Sequence, residues 1–261
     1  MIYPNNFENK IQFNEIRSLL KGYCLCRLGK DKVDEMAFTD DAGRINTLLR
    51  QTREFRRLQE ESDDFPLQFF FDMRESIKRI RIEGTHLEEN EIFDLRRSLE
   101  TIAAIVRFLG RSDDNGNYNY PTLQTLTEGV LTFADIIRRI DQILDKYGRI
   151  KDSASTRLAE IRSQLQKAEG SVSRTLNNIL RAAQSEGLIE KDVTPTLRDG
   201  RLVVPIAPAL KRRIKGIVHD ESSTGKTVFV EPNEVVEANN RIRELEADER
   251  REIIVILTEF T

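Results

Sequence analysis

The stretch that decides the fold runs from Val193 to Pro232 and reads VTPTLRDGRLVVPIAP (193–208), ALKRRIKGIVHD (209–220) and ESSTGKTVFVEP (221–232). It holds four of the seven prolines in the chain, and its segments are β-branched and bounded by turn residues, as strands are. The rest of the chain has helical periodicity. A small antiparallel β unit is therefore expected to interrupt a helical protein.

Two turns divide this β unit. Asp199-Gly200 predicts a tight hairpin, because glycine readily takes the positive φ that a primed turn needs. Residues 222–225 predict a second loop, between a strand that ends near His219 and a strand over residues 226–230. A sheet this short has little core of its own, so we expect it to rest on neighbouring helices.

The helices on either side of the β unit predict an arm. Gly187 ends a long helix before the unit, and Pro232-Asn233 begins another directly after it. At 1.5 Å per residue, the first helix (150–186) would span roughly 50 Å. Matching narrow apolar seams favour antiparallel pairing of the two helices, the alternative being that either helix packs into the rest of the chain. The seam residues are Leu158, Ile161, Leu165, Ala168, Val172, Thr175 and Ile179, and then Val235, Ala238, Ile242 and Leu245.

The charge of the β unit differs from that of the whole chain. Residues 196–216 carry a net charge of +5, whereas the chain as a whole carries −3. A local basic patch on an acidic protein is typical of a phosphate-contacting surface. The alternative is a solvated edge strand, whose Lys and Arg side chains prevent edge-to-edge pairing. The basic residues are Arg198, Arg201, Lys211, Arg212, Arg213 and Lys215.

The residues before the arm are predicted to form a helical body. An early helix is expected to end at Gly29, a later one to start with a capping box at Thr85 and Glu88, and another to run from Pro121 to near Tyr147. The predicted class is thus mainly α. A helical core (lever) domain occupies residues 1–148, and a protruding antiparallel coiled-coil arm occupies 149–261, with its β tip at 192–231.

Composition and residue inventory exclude several kinds of site. No apolar run approaches membrane-span length and no signal peptide is recognisable, so no membrane partner and a cytoplasmic location are expected. The sequence STGKT (223–227) is not a phosphate loop, because position 220 is Asp and the chain continues as a strand. Cys24 and Cys26 are expected to be buried reduced thiols. With two histidines in the chain, no catalytic residue, metal ligand or cofactor site is predicted in this segment.

Several blocks of the sequence resemble a known family. RDGRLVVPI (198–206), GIVHDESSTGKTVFVEP (216–232) and VVEANNRIRELE (235–246) are similar to the second bacterial paralogue of the MutS mismatch-repair proteins. DSASTRLAEIR (152–162) and IQFNEI (11–16) are similar to the same family. The resemblance extends over essentially the whole chain, and the block at 216–232 is its most specific part.

The resemblance implies a lever that carries a clamp. In that family the clamp closes over nucleic acid and touches backbone more than bases, and all six basic residues named above match it. The implied partners are double-stranded or branched DNA or a stalled ribosome, because the family's roles are described as recombination suppression and ribosome rescue. Longer members carry an ABC-type ATPase domain that uses ATP and Mg²⁺, dimerise through it, and usually have a C-terminal endonuclease domain. The family lacks the mismatch-reading domain of MutS.

Two functions follow as hypotheses. The first is a fragment of a MutS-like ATPase that clamps DNA through sequence-independent backbone contacts. The alternative is an interaction arm, whose tip docks on a protein or a stalled ribosome and whose Lys and Arg residues serve solubility.

Overall fold

Helices dominate both of the units into which the chain divides. The computed structural model describes residues 6–187, 189–190 and 192–261. One unit ends at Arg149 and includes Thr261, and the other comprises Ile150–Phe260. The described residues of the second unit include a small antiparallel sheet of four strands. The predicted mainly α class with a small β element is therefore confirmed.

The first unit contains eight helices among its described residues. The core lies where α4, α6 and α7 meet, and Leu58 at its centre is fully buried. Phe65 packs edge-on against Phe55 and Phe108, with ring centroids 5.8 and 5.2 Å away, so its ring fills part of this core. The helices are α1 (Phe7–Lys10), α2 (Phe13–Tyr23), α3 (Arg27–Asp34), α4 (Ala42–Glu61), α5 (Arg74–Arg79), α6 (Glu89–Leu109), α7 (Pro121–Gln124) and α8 (Ala134–Ile143).

Two helix ends in this unit differ from the prediction. Gly29 lies inside α3, because the chain already leaves α2 after Tyr23 and takes an extended conformation at Cys26, which begins α3. Thr85 does not cap α6, because its hydroxyl donates to the carbonyls of Arg79 and Ile82. The capping box forms one turn later, between Glu88 and Glu91.

Two further expectations for the first unit were wrong. The helix expected from Pro121 to near Tyr147 is broken, because the chain turns at Gly129, where φ is +76°, before α8 begins. The cysteines are free thiols, as expected, but both are only partly buried. They lie in the connection between α2 and α3 and not on a helix face that packs into the core.

The second unit consists of two long helices and the sheet between them in sequence. Helix α9 spans Thr156–Ser185 and helix α10 spans Asn233–Phe260. The strands are β1 (Thr196–Arg198), β2 (Arg201–Ile206), β3 (Gly216–Glu221) and β4 (Val228–Pro232), in the spatial order β1-β2-β4-β3. All strand pairs are antiparallel.

The two turns form where the sequence predicts them. Asp199 and Gly200 have φ values of 48° and 72°, so the first hairpin has the expected primed turn. The second loop is longer than predicted, because Thr227 is held in it: its amide donates to Ser222 Oγ and its carbonyl accepts from the Ser222 amide. Strand β3 consequently extends past His219 to Glu221, and β4 begins at Val228.

The long helices pair antiparallel, as the seams predict. The start of α9 meets the end of α10, where Ser155 Oγ donates to Glu252 at 2.7 Å and Arg162 Nε to Glu249 at 2.7 Å. Beyond Val172, the buried face of α9 shifts from the predicted seam and is formed by Leu176, Leu180 and Ala183, not Thr175. The reason is that the sheet also packs on this half of the helix, which widens its apolar face.

No helix among the described residues combines the length and the apolar character that crossing a lipid bilayer requires.

Candidate nucleic-acid interface

Four of the predicted cations lie on one short connection, Lys211–Lys215, which we call the basic segment. It joins a 3₁₀ turn at Pro208–Leu210 to strand β3. Its start is fixed by a hydrogen bond from the Arg213 amide to the Leu210 carbonyl at 2.8 Å. Its end is fixed by a bond from the Asn233 amide, at the start of α10, to the Lys215 carbonyl at 3.1 Å. Ile214 in its middle packs into the core, so the backbone is held while the charged side chains face solvent.

The cations of the basic segment have uncommitted head groups within the described structure. Lys211, Arg212, Arg213 and Lys215 are all exposed, and none of them forms an ion pair with another described residue. Arg213 and Lys215 also line a shallow surface cavity that includes the carboxylates of Glu186 and Glu234. Both acids are exposed and screened by solvent, so they reduce the local positive potential without neutralising the whole segment.

Arg198 contacts two neighbouring side chains but stays accessible to solvent. Its guanidinium lies 4.2 Å from the centroid of the Phe229 ring and 3.4 Å from a carboxylate oxygen of Asp220. Both side chains of this ion pair are more than 40% exposed, so water and salt screen the pair and Arg198 retains access to solvent.

Arg201, in contrast, is hydrogen-bonded to neighbouring side chains of the second unit. Its Nη1 donates to Glu231 Oε1 at 2.7 Å and its Nη2 donates to the Asn240 side-chain oxygen at 2.7 Å. The side chain is 15% exposed and that of Glu231 is fully buried. Of the six residues that the sequence singles out, Arg201 is thus placed in the most enclosed surroundings.

Glu231 is the residue that sequence reasoning missed. Besides Arg201, its carboxylate contacts His219 Nε2 at 2.6 Å and accepts from Asn239 Nδ2 at 2.8 Å. These contacts join β2, β3, β4 and α10 at one buried group. Burial opposes ionisation of Glu231, but the hydrogen bonds from Asn239, His219 and Arg201 outweigh it and lower the pKa of this carboxyl below its usual value. The sequence shows only a single glutamate at the end of the apolar strand VFVEP, whereas the structure buries all five of these residues.

Gly216 fixes the junction between the basic segment and the sheet. A Cβ at this position would lie 2.1 Å from the Glu231 carbonyl oxygen and 2.8 Å from a Val230 methyl group. Strands β3 and β4 therefore approach each other directly after the last residue of the basic segment, where Gly216 pairs with Pro232.

His219 and Asp220 are neighbours on β3 whose side chains contact different partners. His219 contacts Glu231 whereas the neighbouring Asp220 contacts Arg198, and the register of β3 against β4 shifts between Val218 and Asp220. Within the described residues, no group of three or more His, Cys, Asp or Glu side chains could hold a metal ion.

Comparison with known proteins identifies longer relatives. No family model matches the chain. The chain is 31% identical over 251 residues to "Endonuclease MutS2" of a Geobacillus species, a match that covers 96% of this chain and 32% of the relative. Proteins of the same name from Finegoldia magna and Levilactobacillus brevis are 31% and 32% identical, over 97% and 96% of this chain. The chain spans about a third of the length of these curated relatives. The sequence is therefore MutS2-like, homologous over nearly its whole length to one part of these longer proteins, which confirms the resemblance inferred from its motifs.

Proposed function

We propose that this chain binds double-stranded or branched DNA through sequence-independent contacts between phosphates and the basic segment. The observation that supports the proposal most strongly is the arrangement at Lys211–Lys215, where four exposed cations project from a backbone fixed at both ends. The relatives are named endonucleases, a class of enzyme that acts on nucleic acid. Cations on a fixed backbone lose little conformational freedom on binding, and they release counterions from a polyanion.

The paired helices α9 and α10 give this binding a mechanical role. Both helices begin or end next to the sheet, and their seam is continuous from the tip core to the Arg162–Glu249 pair. In a longer MutS2-like protein with an ATPase domain, ATP and Mg²⁺ would act outside this segment. A movement applied to the far ends of α9 and α10 would then reach the basic segment through Asn233, which is bonded to Lys215.

Direct titration of labelled DNA tests the proposal. The triple variant Lys211→Ala/Arg212→Ala/Arg213→Ala should bind a duplex and a four-way junction at least about tenfold more weakly than the wild type at low salt. The matched control is Lys167→Ala/Arg174→Ala/Arg243→Ala, which removes the same charges from exposed positions on α9 and α10. The control should change the affinity by no more than about twofold.

The outcome also separates the proposal from an arm that docks on protein or ribosome. Unchanged DNA binding in the basic-segment variant would remove this segment from the account. Binding to ribosomal particles that survives high salt, without DNA binding at low salt, would favour the docking arm in its place.

A further inference from the structure

The basic residues of the tip differ in whether a carboxylate of the protein already pairs with them. The four cations of the basic segment form no ion pair with a described residue, whereas Arg201 makes two hydrogen bonds through its guanidinium. One of these bonds goes to Glu231, a carboxylate with no exposed surface. A charged partner of this kind holds an arginine more firmly than an exposed one does, because water and salt screen a buried pair far less.

Glu231 lies close to the point at which the basic segment enters the sheet. Its Cα pairs with Ile217, and the next residue, Pro232, pairs with Gly216, which follows Lys215. An arginine released from Glu231 would therefore be near the proposed phosphate-contacting surface and would add a cation to it.

We propose that Glu231 withholds Arg201 from the nucleic acid, so that the basic segment makes the phosphate contacts and Arg201 does not. The inference rests on the proposed function. Glu231 acts here as a specificity-determining residue that touches no ligand itself: it decides how many cations the tip presents to a polyanion.

The groups around Glu231 explain why a phosphate does not compete successfully for Arg201. His219 on β3 and Asn239 on α10 hold the carboxylate in place, and Asn240 on α10 holds the second guanidinium nitrogen. Arg201 would have to break two bonds to reach a phosphate, and it would leave a buried carboxylate short of one cation. The nearby Arg198–Asp220 pair is exposed and gives no comparable restraint.

The salt dependence of binding in two backgrounds tests this inference. Each phosphate-contacting cation contributes about 0.9 to the slope of log K against log salt concentration. Arg201→Gln should leave the slope unchanged in the wild-type background, whereas Lys211→Gln, the matched control, should reduce its magnitude by about 0.9. In the Glu231→Gln background Arg201 keeps the bond to Asn240 but loses its charged partner, so a phosphate can compete for its guanidinium. The slope should then be steeper than in the wild type, and adding Arg201→Gln should remove about 0.9 from it.

A loss of about 0.9 on Arg201→Gln in the wild-type background would overturn the inference. The salt concentration at which the same variants elute from a heparin column repeats this comparison with a second polyanion. If the wild type bound no DNA, the proposed function would fail, while the heparin elution order would still decide the role of Glu231.

A measurement on the wild type avoids dependence on whether the Glu231 variant folds. The side-chain Nε–H resonance of Arg201, assigned by its absence in Arg201→Gln, should keep its chemical shift when the protein is saturated with duplex DNA. The Nε–H resonances of Arg212 and Arg213 should shift in the same titration. A shift of the Arg201 resonance equal to theirs would contradict the proposal.

Discussion

Glu231 shows how a single residue can join a small sheet to the helix that follows it. A buried carboxylate is costly unless it is paired and hydrogen-bonded, and Glu231 receives bonds from Arg201, His219 and Asn239. Replacing a whole buried ion pair by apolar residues often changes stability little. Removing only one partner is strongly destabilising, because the remaining charge stays buried without compensation. Glu231 is therefore expected to matter for stability as well as for the charge of the tip.

The lowered pKa of Glu231 predicts a defined dependence of stability on pH. A carboxyl whose pKa is lower in the folded state stabilises that state above its ordinary pKa, and the contribution is lost as the pH falls through the folded pKa. Glu231→Gln should reduce the free energy of unfolding by about 3 kcal/mol at pH 7. The difference from the wild type should shrink as the pH falls from 5 to 3, as measured by urea denaturation followed by circular dichroism.

The control for this experiment is Glu237→Gln, at an exposed position on α10, the helix that directly follows β4. It should change the free energy of unfolding by less than about 0.5 kcal/mol across the same pH range. A Glu231→Gln difference that stayed constant down to pH 3 would show that ionisation of Glu231 does not stabilise the fold.

Residue chemistry could be predicted only in part from the sequence. The hairpin at Asp199-Gly200 was predictable because its conformation depends on local sterics. The burial of Glu231 was not, since a lone glutamate next to a proline reads as a solvated residue until the partners on β2, β3 and α10 are brought to it. The enclosed position of Arg201 was not predictable for the same reason, because in the sequence it looks like the other basic residues of this stretch, which are exposed.

At the scale of elements, the pairing of β3 with β4 depends on a close backbone approach at Gly216. A methyl group there would meet the backbone carbonyl of Glu231 at 2.1 Å, and that atom cannot move away without separating the strands. We therefore predict that Gly216→Ala destabilises the second unit by about 3 kcal/mol. Urea denaturation of the variant and the wild type measures the effect.

Gly170→Ala is the matched control for this substitution. Gly170 lies in the middle of α9, and a Cβ there would meet no atom within 4 Å. Alanine should stabilise the helix by about 0.5 to 1 kcal/mol, because glycine loses more backbone entropy on folding. Equal stability of Gly216→Ala and the wild type would mean that the two strands do not approach as closely as described.

The helices show which features of an element can be read from its sequence. The antiparallel pairing of α9 and α10 was predictable because both seams are local periodic patterns. The buried face of α9 beyond Val172 was not, because it depends on the sheet packing against the helix as well. The N-cap of α6 is Glu88, one turn later than predicted. Thr85 also fits the capping-box pattern, and only the tertiary structure shows that its hydroxyl contacts the Ile82 carbonyl and does not cap the helix.

At the scale of the whole molecule, charge is distributed unevenly along the chain. Residues 196–216 carry +5 on a protein of net charge −3, so a polyanion that approaches the rest of the chain meets a surplus of negative charge. The sequence predicts this basic stretch, but it does not show which of its cations are exposed and which are bound to other side chains. The structure leaves four cations exposed on the basic segment and commits Arg201 to Glu231.

We propose that the exposed cations of the basic segment bind a polyanion, and the decisive experiment is the salt dependence of duplex binding by the wild type. Three or four phosphate contacts predict that log K falls with log salt concentration with a slope of about −2.7 to −3.6. Measurements of a labelled duplex by fluorescence anisotropy at several salt concentrations give this slope. A value near zero, or a steep slope that persists when Lys211, Arg212 and Arg213 are replaced by alanine, would contradict the account.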